Sequence, residues 1–435
     1  MAENSRFLTH FYVTIPICSP SRASIMTGRY PVRTGVYPNV FDPASILGLP
    51  RNETTIAHLL SQQGYRTMMT GKWHLGVGYN GEYLPTEFGF DEYLGVPYSH
   101  DGCPCITCFP NAGPCFGTCG QPRFVSCPLY SNTTIVEQPV DLPSLTQKYV
   151  DHAKNFIQRS NADGEPFFLY MPFNHVHHPQ FADSSFYGKS QRGAFGDALI
   201  EMDWAVGQLL KTIKDIGADQ DTIVWFTSDN GPELLRHERG GSAGLLRCGK
   251  GTTMEGGIRV PTIVQWPGKI MPGRSNALTS TMDILPTLAT LAGVETKNLT
   301  IDGVDITSVL MDPDGLGPRD FLAQYSRYPN ETQGPYAVFH GKFKAHFWTK
   351  GESLSDNDNY DPICRDSHEL TEHEPPLLFD LFKDPGERYD LSKLTEYQDE
   401  LEQIINWRSQ HMAEVSWMPP RTQILADDSQ PCCNP

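Results

Sequence analysis

The stretch "DTIVWFTSDNGPE", residues 221–233, decides the architecture. Its first half is continuously apolar, β-branched and aromatic, the pattern of a strand buried on both faces in a parallel sheet. It then runs directly into Ser228, Asp229, Asn230 and Gly231. "PFFLYMPF", residues 166–173, repeats the pattern and ends in Asn174-His175-Val176-His177-His178. "YRTMMT", residues 65–70, leads into Gly71-Lys72-Trp73-His74, and "VPTIVQW", residues 260–266, reads as a further buried strand. Between them lie helical patterns. Ile56, Leu59 and Leu60 recur at helical spacing before Gly64, and Leu199, Met202, Val206, Leu209, Leu210, Ile213 and Ile216 mark a long amphipathic helix before Gly217. Alternating strands and helices predict an α/β sandwich with a largely parallel central sheet.

After about residue 320 the texture changes. "AVFHGKFKAHFWT", residues 337–349, reads as a hairpin, and "PLLFDLFKDPGERYDL", residues 376–391, as a strand and turn. The expected organisation is an α/β domain over residues 1–320 and a small antiparallel α+β subdomain over 321–435. A length of 435 residues, 39% of them hydrophobic, supplies ample core. The net charge of −17 argues against nucleic acid or an anionic membrane surface as partner. No run is long and apolar enough for a membrane-spanning helix.

Polar side chains collect where the strands end: Lys72, His74, His177, Asp229 and Asn230, with Lys250 on the glycine-rich loop "RCGKGTTMEGG", residues 247–257. Ligands of open α/β sheets bind at that edge. Two lysines with Arg22 suit a tetrahedral oxyanion, and Asp229 with Asn230 offers hard oxygens to Ca²⁺ or Mg²⁺. A helix expected to begin near Ser21 would turn backbone N–H groups on the same anion. The pattern is that of an anion-ester hydrolase with a divalent metal. Singly, each residue has a plainer reading: Asp-Asn-Gly as a turn, each lysine as solvated surface, His-x-His-His as a loop cluster or zinc ligands, and Cys18 as a buried thiol.

Of the 11 cysteines, Cys18 stands apart, and an even number remains, as in an oxidised protein. The alternative for Cys105, Cys108, Cys115 and Cys119 is a zinc site. Sequons at Asn52, Asn132, Asn298 and Asn330 also point to a secreted or lumenal chain.

"PICSPSRASIMTG", residues 16–28, carries Cys-x-Pro-Ser-Arg followed by apolar residues and Thr-Gly, and "GYRTMMTGKWH" spans residues 64–74. With "PYSHD", "SDNGPE", "LLRCGKGTT" and "HEPPLLFDL", they make the chain resemble the sulfatase family along nearly its whole length. The resemblance implies an alkaline-phosphatase-like α/β fold and hydrolysis of sulfate esters of lipids, sugars or aryl alcohols. It implies that Cys18 is converted to formylglycine by the formylglycine-generating enzyme. One hydroxyl of the hydrated aldehyde attacks sulfur and the other later expels sulfate. It implies that Arg22 stabilises the hydrate, His74 hydrogen-bonds it, and Lys72 and Lys250 hold the sulfate. His177 would protonate the leaving oxygen, a role that suits an acidic compartment, and Ser99 would contact substrate. Asp229, Asn230 and converted Cys18 would ligate Ca²⁺, with Mg²⁺ as the alternative. It further implies bridges Cys105–Cys119, Cys108–Cys115 and Cys248–Cys364, a lysosomal or secreted location and a homo-oligomer; of the four cysteines left over, Cys103, Cys127, Cys432 and Cys433, the first two are expected to pair with each other.

The sequence departs from the family pattern at its start. "MAENSRFLTHFYV", residues 1–13, contains no signal-peptide pattern and no Asp-Asp strand end, so two metal carboxylates are not in the sequence. A missing first strand should leave a sheet edge uncovered. The readings are a working sulfatase whose sequence starts further upstream, an inactive sulfatase-like binding protein, or a zinc phosphatase of the same fold.

Overall fold

The computed structural model describes residues 1–103, 127–312, 315, 317–356 and 361–426. The expected bridges Cys105–Cys119 and Cys108–Cys115 lie outside the described residues. The chain packs as two units.

The first unit comprises Met1–Val40, Ile223–Leu291 and Glu295–Pro420. One four-stranded sheet runs in the order Gly273–Ser275, Arg6–Leu8, Ile263–Gln265, Val224–Phe226. Only the pairing of Arg6–Leu8 with Gly273–Ser275 is parallel there. Ile263–Gln265 returns antiparallel because the connection from Phe226 is a long loop excursion and not a crossover helix packed across the sheet. Helix Cys18–Thr27 starts three residues earlier than expected and is buried along its whole length. It closes on Gly28, whose φ of 66° is left-handed backbone. The C-terminal sheet is antiparallel in the order Phe321–Gln324, Ala337–His340, Phe343–Thr349, Thr371–Asp380. Leu401 and Ile404 of helix Gln398–Glu414 pack with Val338, Ala345, Phe347 and Leu378.

The second unit comprises residues 41–222 and 292–294 with the chain from Arg421. Its five-stranded sheet runs Thr134–Glu137, Leu129–Ser131, Glu92–Gly95, Arg66–Thr70, Phe167–Tyr170. The last three strands are parallel. Helices Leu142–Asp163 and Gly193–Asp215 pack against each other.

Two expectations about burial change. Phe167–Tyr170 and Val224–Phe226 are half-buried, not buried on both faces, because each is the outermost strand of its sheet. On helix Gly193–Asp215 the apolar stripe at Leu199, Met202, Val206 and Leu209 is half-buried or exposed. The buried face carries Ala198, Glu201, Ala205 and Thr212, with Ile213 the member of the stripe that is buried; Glu201 there meets His175.

Candidate active site

In the first unit, Cys18 is the first residue of its helix and nearly fully buried. Arg22 follows at i+4, hence on the same helical face. Arg22 Nε donates to Asp229 Oδ2 at 2.8 Å. Cys18 Sγ lies 3.6 Å from Asn230 Oδ1. The strap 228–231 is held locally, with Ser228 Oγ donating to the Asn230 carbonyl at 3.0 Å and Asn230 Nδ2 to the Gly231 carbonyl at 2.9 Å. Asp229 thus has its negative charge beside a fixed cation, and the Asn230 amide oxygen is aimed at the thiol.

Lys250 is buried, with Nζ 3.3 Å from Glu233 Oε2. Its loop is stitched to both neighbours. Lys250 N donates to the Pro232 carbonyl at 2.8 Å, and Gly251 N to the Pro16 carbonyl at 3.0 Å, two residues before Cys18. The Cys248–Cys364 disulfide pins the same loop, as expected.

In the second unit, Lys72 and His74 follow strand Arg66–Thr70. Lys72 is almost fully buried, and its Nζ donates to Ser99 Oγ at 3.0 Å. His74 has a φ of 62°. Its Nε2 donates to the Phe41 carbonyl at 3.0 Å. Gly71 is needed here, since a Cβ would sit 2.0 Å from the Pro172 carbonyl oxygen. His177 Nδ1 donates to the His178 carbonyl at 2.6 Å. The His177 ring stands edge-on to His100 at 5.7 Å between centroids.

A layer that the sequence reading passed over holds these groups. His100 Nε2 lies 2.9 Å from the Pro179 carbonyl, and Tyr149 OH donates to Asn174 Oδ1 at 3.0 Å. His175 Nε2 is 2.5 Å from Glu201 Oε2, both buried. Burial would raise the Asp101 carboxyl, but the nearby His177 and Lys72 charges and a hydrogen bond from Ser99 hold it well below the usual range. Burial pushes His100 down to about 3, helped by His177. Asp101 and His100 sit inside "PYSHD" and Glu233 inside "SDNGPE", so proximity to named residues was the available signal. The bridge Cys103–Cys127 forms just beyond the turn His100–Gly102.

Cys18, Arg22, Asp229, Asn230 and the Lys250 loop therefore converge in the first unit, and Lys72, Ser99, Asp101, His100 and His177 in the second; His74 follows Lys72 on the same loop. Among the described residues, no group of three or more His, Cys, Asp or Glu is placed to hold a metal ion.

The family model for sulfatases matches residues 1–294, and that for the C-terminal region of aryl-sulfatase matches 317–435. The chain belongs to the sulfatase family. It is 48% identical to arylsulfatase A of Bos taurus and of Homo sapiens, across 100% of this chain and 87% of each relative. It is 36% identical to N-acetylgalactosamine-6-sulfatase of Canis lupus familiaris, across 98% of this chain and 85% of that one. A sulfatase crystal structure from Pseudoalteromonas superposes with a TM-score of 0.80 at 26% identity, covering 95% of this chain and 83% of that one. The α/β fold expected from strand and helix alternation stands. Among the described residues, no helix is long and apolar enough to cross a membrane.

Proposed function

We propose that this sulfatase hydrolyses sulfate esters of the arylsulfatase type, with Cys18 matured to formylglycine as its nucleophile. The observation that carries the reading is the placement of Cys18. It opens a buried helix, with Asn230 at its sulfur and the Arg22–Asp229 pair one turn on.

Asp229 and Asn230 supply two adjacent oxygens, one edge of the roughly six to eight that Ca²⁺ takes. The donor chemistry fits one side of a hard divalent cation, Ca²⁺ in preference to Mg²⁺, with matured Cys18 beside it. Such an ion, when bound, would offset negative charge on the sulfate oxygens and acidify the nucleophile. Arg22 keeps positive charge against Asp229 and steadies the matured Cys18. Lys72 and Lys250 bring two ammonium groups to a sulfate, whose charge they offset. His74 hydrogen-bonds the hydrated, matured Cys18. His177 delivers a proton to the leaving alcohol oxygen, while Ser99 contacts the substrate.

A sulfated lipid or sugar is the proposed substrate, a lysosomal or secreted location the proposed setting, and the formylglycine-generating enzyme the maturation partner. We also retain residue 320 as the boundary between an α/β domain and a C-terminal subdomain, since the antiparallel sheet starts at Phe321.

The test is hydrolysis of an aryl sulfate by protein from its native secretory route, alongside the mass of the Cys18 peptide. Turnover with an aldehyde at Cys18, both lost in Cys18→Ala, is the expected result. A native protein that retains the thiol would end the proposal.

A further inference from the structure

Beneath the Lys250 loop lies a buried charged cluster that the proposed chemistry does not use. Lys344, on strand Phe343–Thr349, is fully buried. Its Nζ is 3.0 Å from Glu255 Oε1 and 2.8 Å from Glu387 Oε1. His346 is two residues further along the strand and so on the same face. Its Nε2 lies 2.6 Å from Glu387 Oε1. Glu387 Oε2 accepts the backbone N–H of Glu255 at 2.7 Å, at the start of the helical turn Glu255–Ile258. Tyr12 OH donates to Glu255 Oε2 at 3.0 Å, and Arg259 Nη1 is 3.5 Å from the same oxygen.

Two carboxylates thus face two cations, Lys344 and Arg259, with no solvent at Lys344, His346, Glu255 or Glu387. Burial raises the Glu255 carboxyl against the opposing pull of Lys344. Burial would raise Glu387 too, but Lys344 and His346 hold it down to about 2. An apolar cluster of the same volume would often be at least as stable. What its hydrogen bonds add, with only His346 Nδ1 and Arg259 Nη1 left without one, is one defined geometry.

The backbone carries that geometry to the site. The Gly257 carbonyl accepts Gly231 N at 3.0 Å, beside Asn230, and the Arg247 carbonyl accepts Gly256 N at 2.8 Å. A Cβ on Gly256 would lie 2.1 Å from the Cys248 carbonyl oxygen, so the turn and the Lys250 loop are in direct backbone contact. The loop in turn bonds Pro232 and Pro16.

We propose that Lys344, Glu387 and His346 are positioning residues: through Glu255 they fix the turn on which the 229–231 strap and the Lys250 loop rest. The C-terminal sheet thereby sets the affinity of the site for a sulfate group. This rests on the sulfate-ester reading.

The test uses the full chain carrying Glu255→Gln, which keeps the Lys344–Glu387 and His346–Glu387 pairs, and Lys344→Met as the harsher variant. KM and kcat for an aryl sulfate, the dissociation constant for inorganic sulfate and amide hydrogen exchange are measured well below the melting temperature. In Glu255→Gln, KM and the sulfate dissociation constant should rise about tenfold while kcat changes far less, the mark of a misplaced binding group. The amides of Gly231, Lys250 and Gly251 should exchange faster. A folded variant with parental sulfate affinity and parental exchange at those amides overturns the proposal. Exchange needs no substrate, so it decides the positioning role even if the parent chain hydrolyses no sulfate ester, a result that would sink only the functional reading. If Lys344→Met does not fold, Glu255→Gln decides alone.

Discussion

Arg22 acts on both sides of the nucleophile's neighbourhood: it shares a helical face with Cys18 and donates to Asp229 at 2.8 Å. Both partners are mostly withdrawn from water, with side-chain exposures of 7% and 20%. Removing the guanidinium leaves a largely buried carboxylate without its cation, at a cost of about 1–3 kcal/mol. Arg22→Ala should therefore lower the urea midpoint and also reduce kcat/KM for an aryl sulfate by about a hundredfold or more. A variant with parental kinetics would show that Arg22 only supports Asp229 structurally. At this scale the sequence was readable, because Cys18 and Arg22 are four residues apart and Asp229 and Asn230 are adjacent. Glu233, His100 and Asp101 were not singled out, since their roles depend on which lysine or imidazole the fold brings against them.

The elements that carry the site depend on close backbone approaches. Gly231 is the clearest case, because a Cβ there would lie 1.9 Å from the Gly256 carbonyl oxygen, a backbone atom that cannot swing aside. Gly231→Ala must separate the strap from the turn Glu255–Ile258. The expected result is a loss of about 2 kcal/mol or more in denaturant unfolding together with weaker sulfate binding. Unchanged sulfate affinity would show that the strap moves independently of the turn. Strands ending in site residues were legible from their apolar runs, and the 337–349 hairpin from alternation around a glycine. Helices Leu142–Asp163 and Gln398–Glu414 were missed. The first does carry helical spacing, at Leu145, Tyr149, Val150, Ala153, Phe156 and Ile157, all of them buried. The second has only Leu401 and Ile404 buried, and its polar remainder gives little local signal.

Across the whole molecule, several histidines are stored as neutral, buried rings. Burial pushes His10 and His100 down to about 3, and His346 and His411 down to about 4, from an ordinary 6.5. As pH falls below 6.5, the unfolded chain takes up these protons while the folded chain does not. Their contribution is therefore complete above that pH and is lost as pH falls towards 4 and then 3, by about 1–2 kcal/mol each at mildly acidic pH. Melting temperature should drop steadily from neutral pH to about pH 5; a flat profile would mean that these rings are protonated in the folded state. The Cys248–Cys364 bridge, closing 116 residues, acts at the same scale by restricting the unfolded chain. What the sequence by itself determined is whatever short-range spacing encodes: the α/β alternation, the Cys18–Arg22 face, the Asp229–Asn230 strap and the polar strand ends. Only the tertiary structure decided that Ile263–Gln265 runs antiparallel, that two apolar strands are half-covered sheet edges, and that Lys344 and His346 stand under Glu255. Those facts depend on pairings between segments far apart in the chain, and local periodicity carries no information about which distant segment will supply the partner.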